Sequence, residues 1–241
     1  MRPLVLRSEL LAQAGFLHGF STRWASPDGA EGPSPSGDAH LRGFLGALGR
    51  DAGSALRVKQ VHGAAVLEEA VADWGAEADA IVLGPGAEAT TPVIRTADCV
   101  PILLADPRSG RVGAVHAGWR GVEKRIVVEA VRALGATAGR LVAAVGPCLC
   151  AACFEVGEEV VDALVPVSGP GVVDRARGPK PHVDLRLAVR LQLRALGLAD
   201  ANVEDVAGCT RCEPERFFSY RRDGANAGRQ MAVIVPRAAV D

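Results

Sequence analysis

His62, Cys99 and His116 are the residues whose types and settings first suggest chemistry. Each sits in a short segment beside Gly or Pro at the end of an apolar run: Lys59-Gln60-Val61-His62-Gly63, Ala97-Asp98-Cys99-Val100-Pro101 and Ala114-Val115-His116-Ala117-Gly118. Side chains at strand ends commonly project into a cleft. Two imidazoles and a thiolate would make a three-ligand zinc site with a fourth position open to water or substrate, the arrangement of catalytic zinc. The separations of 37 and 17 positions (99 − 62 and 116 − 99) fit no short metal motif. Two other readings therefore stay open. The histidines can be hydrogen-bonded strand ends with Cys99 a small buried hydrophobe, or Cys99 can be a nucleophile activated by His116 or His62.

Two further sets carry reactive groups. Cys150 and Cys153 are two residues apart, as are Cys209 and Cys212, and two such pairs can close a tetrathiolate zinc site. The 55 residues between the pairs exceed the spacing of short zinc modules, and with Cys148 in the same apolar stretch the preferred reading is core thiols. The third set is rich in Arg. Arg120 stands at the start of an apolar helix pattern, where backbone amides favour an anion. Arg221 and Arg222 follow the chain's single Tyr, Tyr220, and the pair Phe217-Phe218. Guanidinium forks suit phosphate and aromatic faces suit a nucleobase.

Composition removes several classes. The 241 residues carry 27 Lys+Arg against 28 Asp+Glu, which gives no basic field for nucleic acid. Arg7 and Glu9 interrupt the N-terminal apolar stretch, so no signal peptide is expected. The longest charge-free run, residues 141–154, is too short and too broken by Gly146-Pro147 to cross a bilayer. A cytoplasmic chain with reduced thiols and no membrane contact is the expectation. No dinucleotide or P-loop fingerprint occurs. No His-x-Glu occurs, so deamination by the cytidine-deaminase route has no support.

The elements that must position these residues are short. Strands are expected at residues 57–61, 64–68, 80–83, 93–96, 102–105, 112–116, 141–145, 202–207, 216–220 and 231–235. Helices are expected at 41–48, 122–134, 157–164 and 185–196, the second closed by Gly135 and the last by Gly197. Residues 26–38 read as an exposed loop. With no repeat and no linker, a single domain over residues 1–241 is expected. The strands are not separated by helices at each step, which argues against a doubly wound parallel sheet.

Taken in order, KQVHG, RTADCVPILLADP, VGAVHAGWRG, GPC…CFEVGEEV, HVDLRLAVRLQL and CTRC…FFSYRRDG with GRQMAVI resemble the YfiH-like family. Its members have been called laccase-domain or multicopper polyphenol oxidase proteins and purine nucleoside phosphorylases. The resemblance runs from His18 to Val235. It implies an α/β (α+β) fold, a layered sandwich with mixed sheets between helices, similar to the catalytic domain of deamidating toxins such as cytotoxic necrotizing factor. It also implies a zinc site on His62, Cys99 and His116 and phosphorolysis of adenosine, inosine, guanosine or methylthioadenosine, with adenosine deaminase as a second activity. A monomer with purine nucleoside and phosphate as partners is expected. Arg23, Arg120, Arg221 or Arg222 are then the candidates for phosphate, and Phe218 or Tyr220 for the base.

The chain departs from the family pattern in the loop after Arg23 and at Cys150, where Gly is expected. The copper name is tested by counting. A multicopper oxidase needs paired His-x-His motifs and usually an axial Met, whereas this chain has five His, none two apart, and only Met1 and Met231. Zinc is therefore expected and copper is not. The alternatives from other classes are a Cys-His hydrolase or amidase and a cell-wall precursor editing factor, to which bacterial relatives have been linked.

Overall fold

A strand that is apolar on both faces must be covered on both sides, and several runs of this chain are of that kind. In the computed structural model, which describes residues 3–25, 37–68 and 75–239, those runs form the centres of two stacked sheets. The strands among the described residues are β1 (Val5–Leu6), β2 (His18–Ser21), β3 (Ala55–Leu56), β4 (Val66–Leu67), β5 (Ala80–Leu83), β6 (Thr91–Thr96), β7 (Val100–Ala105), β8 (Val112–Ala117), β9 (Val142–Val145), β10 (Val173–Asp174), β11 (His182–Val183), β12 (Val203–Asp205) and β13 (Gln230–Ile234). The helices are α1 (Glu9–Gln13), α2 (Gly37–Gly46), α3 (Trp119–Glu123), α4 (Ile126–Leu134), α5 (Glu158–Ser168), α6 (Leu185–Ala195) and α7 (Tyr220–Asp223).

One sheet has the order β1-β2-β13-β6-β3 and is antiparallel except at its β6–β3 edge. The other, β12-β9-β7-β8-β5-β4, is antiparallel at its centre and parallel at both edges. A small antiparallel pair, β10-β11, completes the set. Alternation along β7 sends Ile102 and Leu104 toward Ile126, Val127 and Val131 of α4 and Val189 and Leu193 of α6. Leu103 and Ala105 face the other way, onto Phe20, Ile94, Ala232 and Ile234 of the partner sheet. The outer face of that sheet, Val93, Met231 and Val233, lies under Leu41, Phe44 and Leu45 of α2. The result is four layers, helix on sheet on sheet on helices, the mixed α/β sandwich expected from the sequence. Among the described residues no helix is long and apolar enough to cross a membrane.

Three expected elements differ. Residues 216–220 do not form a strand, because the Gln230 side chain satisfies the backbone that a neighbouring strand would have paired. Phe218 N–H donates to Gln230 Oε1 at 3.0 Å, and Gln230 Nε2 donates to the Phe218 carbonyl at 2.8 Å. The segment then turns into α7, capped by the Ser219 hydroxyl. Residues 57–61 make one isolated parallel bridge, Lys59 with Glu77, and are bound further through a side chain, Gln60 Nε2 donating to Arg95 O and Arg95 N–H to Gln60 Oε1. The helix expected at 122–134 is two helices, α3 and α4, separated at Arg125, whose φ of 63° is left-handed. Of the loop expected at 26–38, residues 26–36 lie outside the described residues.

Candidate active site and metal centre

β7 and β8 pair so that Pro101 lies opposite His116 and Val100 opposite Ala117. Cys99, one residue before β7, therefore arrives beside Gly118 at the far end of β8. His62 enters from the loop between β3 and β4. The ligand atoms of His62, Cys99 and His116 all lie within 4.8 Å of one another and form a group able to hold a metal ion. Cys99 Sγ is 3.8 Å from His62 Nε2, and the two imidazoles meet edge to face with centroids 4.8 Å apart. Gly118 makes this approach feasible. A Cβ there would lie 2.7 Å from His62 Cδ2 and 3.1 Å from Cys99 Sγ.

The group is held by Asp79, a fully buried carboxylate immediately before β5. His116 Nδ1 is 2.7 Å from Asp79 Oδ1, which leaves Nε2 for the Cys99 sulfur. The same carboxylate accepts backbone N–H groups from Val61, His62 and Gly63 at 3.2, 3.0 and 2.6 Å. His62 has φ 57°, a conformation costing roughly 1–2 kcal/mol for a non-Gly residue, and these three bonds hold it there. A carboxylate behind a histidine is the usual outer partner of a metal-ligating imidazole. Two nitrogens and one sulfur, backed in this way, fit a borderline cation such as zinc.

The charges answer to the same geometry. Burial opposes ionisation of Cys99, but the hydrogen bonds and charges of His116 and His62 outweigh it and bring the thiol down to about 6. Burial also opposes charging of His116, and the partners Asp79 and Cys99 outweigh it, raising the imidazole to about 9. Both shifts favour a thiolate beside an imidazolium in the metal-free group.

The group opens into a cavity of about 720 Å³ whose wall includes Trp119, Arg120, Phe154, Tyr220 and Arg221. Arg120 lies over the Trp119 ring at 4.3 Å and Arg221 over Phe154 at 5.6 Å. Arg221 also binds the Glu155 carbonyl through its side chain. Asp98, beside Cys99, accepts the Thr210 hydroxyl and the Arg221 backbone N–H, each at 2.6 Å, so both its oxygens are engaged. Three residues expected near substrate stand elsewhere. Arg23 donates to the Pro214 carbonyl and lies over Phe218. Phe218 is buried against Gly228 and His40. Arg222 is spent on the carbonyls of Thr210 and Phe217 and on Asp223.

Sequence reasoning did not single out Asp79, Arg95 or Arg229. Arg95 and Arg229 line the cavity, and burial followed by the charges of Arg57 and Arg229 lowers the Arg95 pKa. Among the described residues none of Arg95, Arg120, Arg221 and Arg229 pairs with a carboxylate. A signal for Arg95 existed, since it is the one charged residue in the run 91–96, three positions before Asp98. Asp79 gave none, because an acidic residue ahead of a strand is commonplace.

The profile of the family described as multi-copper polyphenol oxidoreductase laccase matches residues 38–237. A purine nucleoside phosphorylase of Deinococcus radiodurans is 41% identical over 217 residues, 87% of this chain and 81% of that protein. An adenosine deaminase, RL5, from an unidentified prokaryote is 47% identical over 147 residues, 58% of this chain and 56% of that protein. The crystal structure of YlmD from Geobacillus stearothermophilus superposes with a TM-score of 0.86 at 27% identity, covering 98% of this chain and 97% of that one. By sequence and by fold, the chain belongs to this laccase-described family, the YfiH-like family.

Proposed function

We propose that the protein is a zinc-dependent purine nucleoside phosphorylase, with deamination of adenosine as a second activity. The observation that carries the reading is one cavity in which a His-Cys-His group stands among three aromatic rings and four guanidiniums that have no carboxylate partner among the described residues. His62, Cys99 and His116 would hold zinc, which when bound supplies a Lewis acid with an open coordination position. Arg95, Arg120, Arg221 and Arg229 would bind inorganic phosphate and hold it against the ribose anomeric carbon, so that the C–O bond to phosphate forms as the bond to the purine breaks. Tyr220, more than half exposed at the cavity wall, together with Trp119 and Phe154, offers a face for the purine. Relatives named for phosphorolysis and for adenosine deamination support this reading.

The test is release of free base from adenosine and inosine by purified protein, with and without phosphate. Phosphate-dependent release, lost in Cys99→Ala together with the zinc held by His62, Cys99 and His116, is expected. No release at any zinc loading overturns the reading. A second reading, a cysteine hydrolase using Cys99 and His116, is favoured by the thiolate–imidazolium pair alone. The zinc lost on going from the wild-type chain to Cys99→Ala separates the two, because one equivalent bound through Cys99 leaves no free nucleophile.

A further inference from the structure

β9 and β12 are parallel neighbours, with Asp205 opposite Val145, and their chains run on side by side beyond the sheet. Cys148 forms a parallel bridge with Cys209, Thr210 N–H donating to the Cys148 carbonyl at 3.1 Å. This continuation sets Cys150-Ala-Ala-Cys153 alongside Cys209-Thr-Arg-Cys212, although 55 residues separate the pairs. Their four sulfurs all lie within 4.8 Å of one another, with Cys153 and Cys212 at 3.3 Å. All four are free thiols. A tetrahedron of sulfurs at the Zn–S distance of about 2.3 Å has edges of roughly 3.8 Å, so the group needs only small adjustments to close on an ion.

Backbone donors surround two of the four sulfurs. Backbone N–H groups of Cys150, Arg211 and Cys212 are directed at the Cys209 sulfur, the first at 3.4 Å, and that of Cys153 at the Cys150 sulfur. Donors aimed at ligating sulfur are the outer shell a thiolate site requires. Cys212 is exposed and Cys150 half-buried, which leaves a path for the ion to enter.

We propose that Cys150, Cys153, Cys209 and Cys212 bind one Zn2+ as a closed, structural tetrathiolate site, separate from the His62, Cys99 and His116 group. Its position assigns it a task. One loop leads from Cys153 directly into Phe154, a cavity wall residue. The other contains Thr210, whose hydroxyl holds Asp98 next to Cys99. The ion would tie together two chain segments that support the cavity.

The experiment measures zinc in His62→Ala/Cys99→Ala protein purified under reducing conditions, which removes the first group and leaves the second. One equivalent per chain is expected, falling to none when Cys209→Ser and Cys212→Ser are added. Cobalt-loaded double variant should show the strong sulfur-to-metal charge-transfer and tetrahedral d–d bands of a four-thiolate site, a readout that does not require the quadruple variant to fold. In the wild-type chain, Zn2+ should slow alkylation of Cys212 at least tenfold. Folded double variant that takes up neither Zn2+ nor Co2+, or zinc content unchanged by the serine substitutions, overturns the proposal. So does a native disulfide between Cys153 and Cys212 in protein isolated without oxidant.

Discussion

Four N–H groups converge on the Asp79 carboxylate, three from the backbone of residues 61–63 and one from His116. An amide has one accepting oxygen and one donating nitrogen, so in Asp79→Asn at least one of these donors faces another donor. The variant should bind zinc about 10–100-fold more weakly, read by competition with a chromophoric chelator. Unchanged affinity would remove Asp79 from the account of the site. The pH dependence of Cys99 follows from its neighbours. Its folded pKa of about 6 lies below the ordinary 9.0, and the thiolate is the reactive form. Alkylation of Cys99 in metal-free protein should therefore rise with pH through a midpoint near 6 and be largely complete by neutrality. A midpoint near 9 would show that the imidazoles do not act on the sulfur.

At the scale of elements, register decides which arginines share the cavity. β13 pairs with β6 so that Gln230 faces Thr96 and Met231 faces Arg95, which carries Arg229, one residue earlier, toward the Arg95 end of the cavity. Charge-assisted hydrogen bonds are worth about 1.5–3 kcal/mol. Arg95→Ala and Arg229→Ala should each raise the KM for phosphate by roughly 10–150-fold while the KM for nucleoside changes little. Equal effects on both would assign the two residues to general packing. The break between α3 and α4 is another local decision. Arg125 carries a left-handed φ of 63°, which Gly adopts without the side-chain penalty. Arg125→Gly should stabilise the fold by about 0.5–1 kcal/mol in urea denaturation. A loss of stability would mean that the Arg125 side chain makes contacts worth more than the strain.

For the whole molecule, the closeness of the two sheets is the governing quantity. At Gly146, just beyond β9, a Cβ would lie 2.3 Å from Phe20 of the opposite sheet and 2.9 Å from Pro101. Overpacking of this kind costs about 1–3 kcal/mol, so Gly146→Ala should lower the thermal midpoint by several degrees, and an unchanged midpoint would show that the sheets can separate freely there. The runs at 80–83, 102–105, 112–116 and 231–235 were legible as strands because they are apolar on both faces, and α4 and α6 because their apolar residues recur at helical spacing. The residues 216–220 were not, because two side-chain bonds from Gln230 replace a strand there. The identities of His62, Cys99 and His116 could be chosen from residue type, strand-end position and ordered motifs. Their convergence, the buried carboxylate behind them, the guanidiniums around them and the meeting of four distant thiols could not. Those depend on pairing between strands far apart in the chain, and residue type and local periodicity do not encode which strands will be neighbours or in what register.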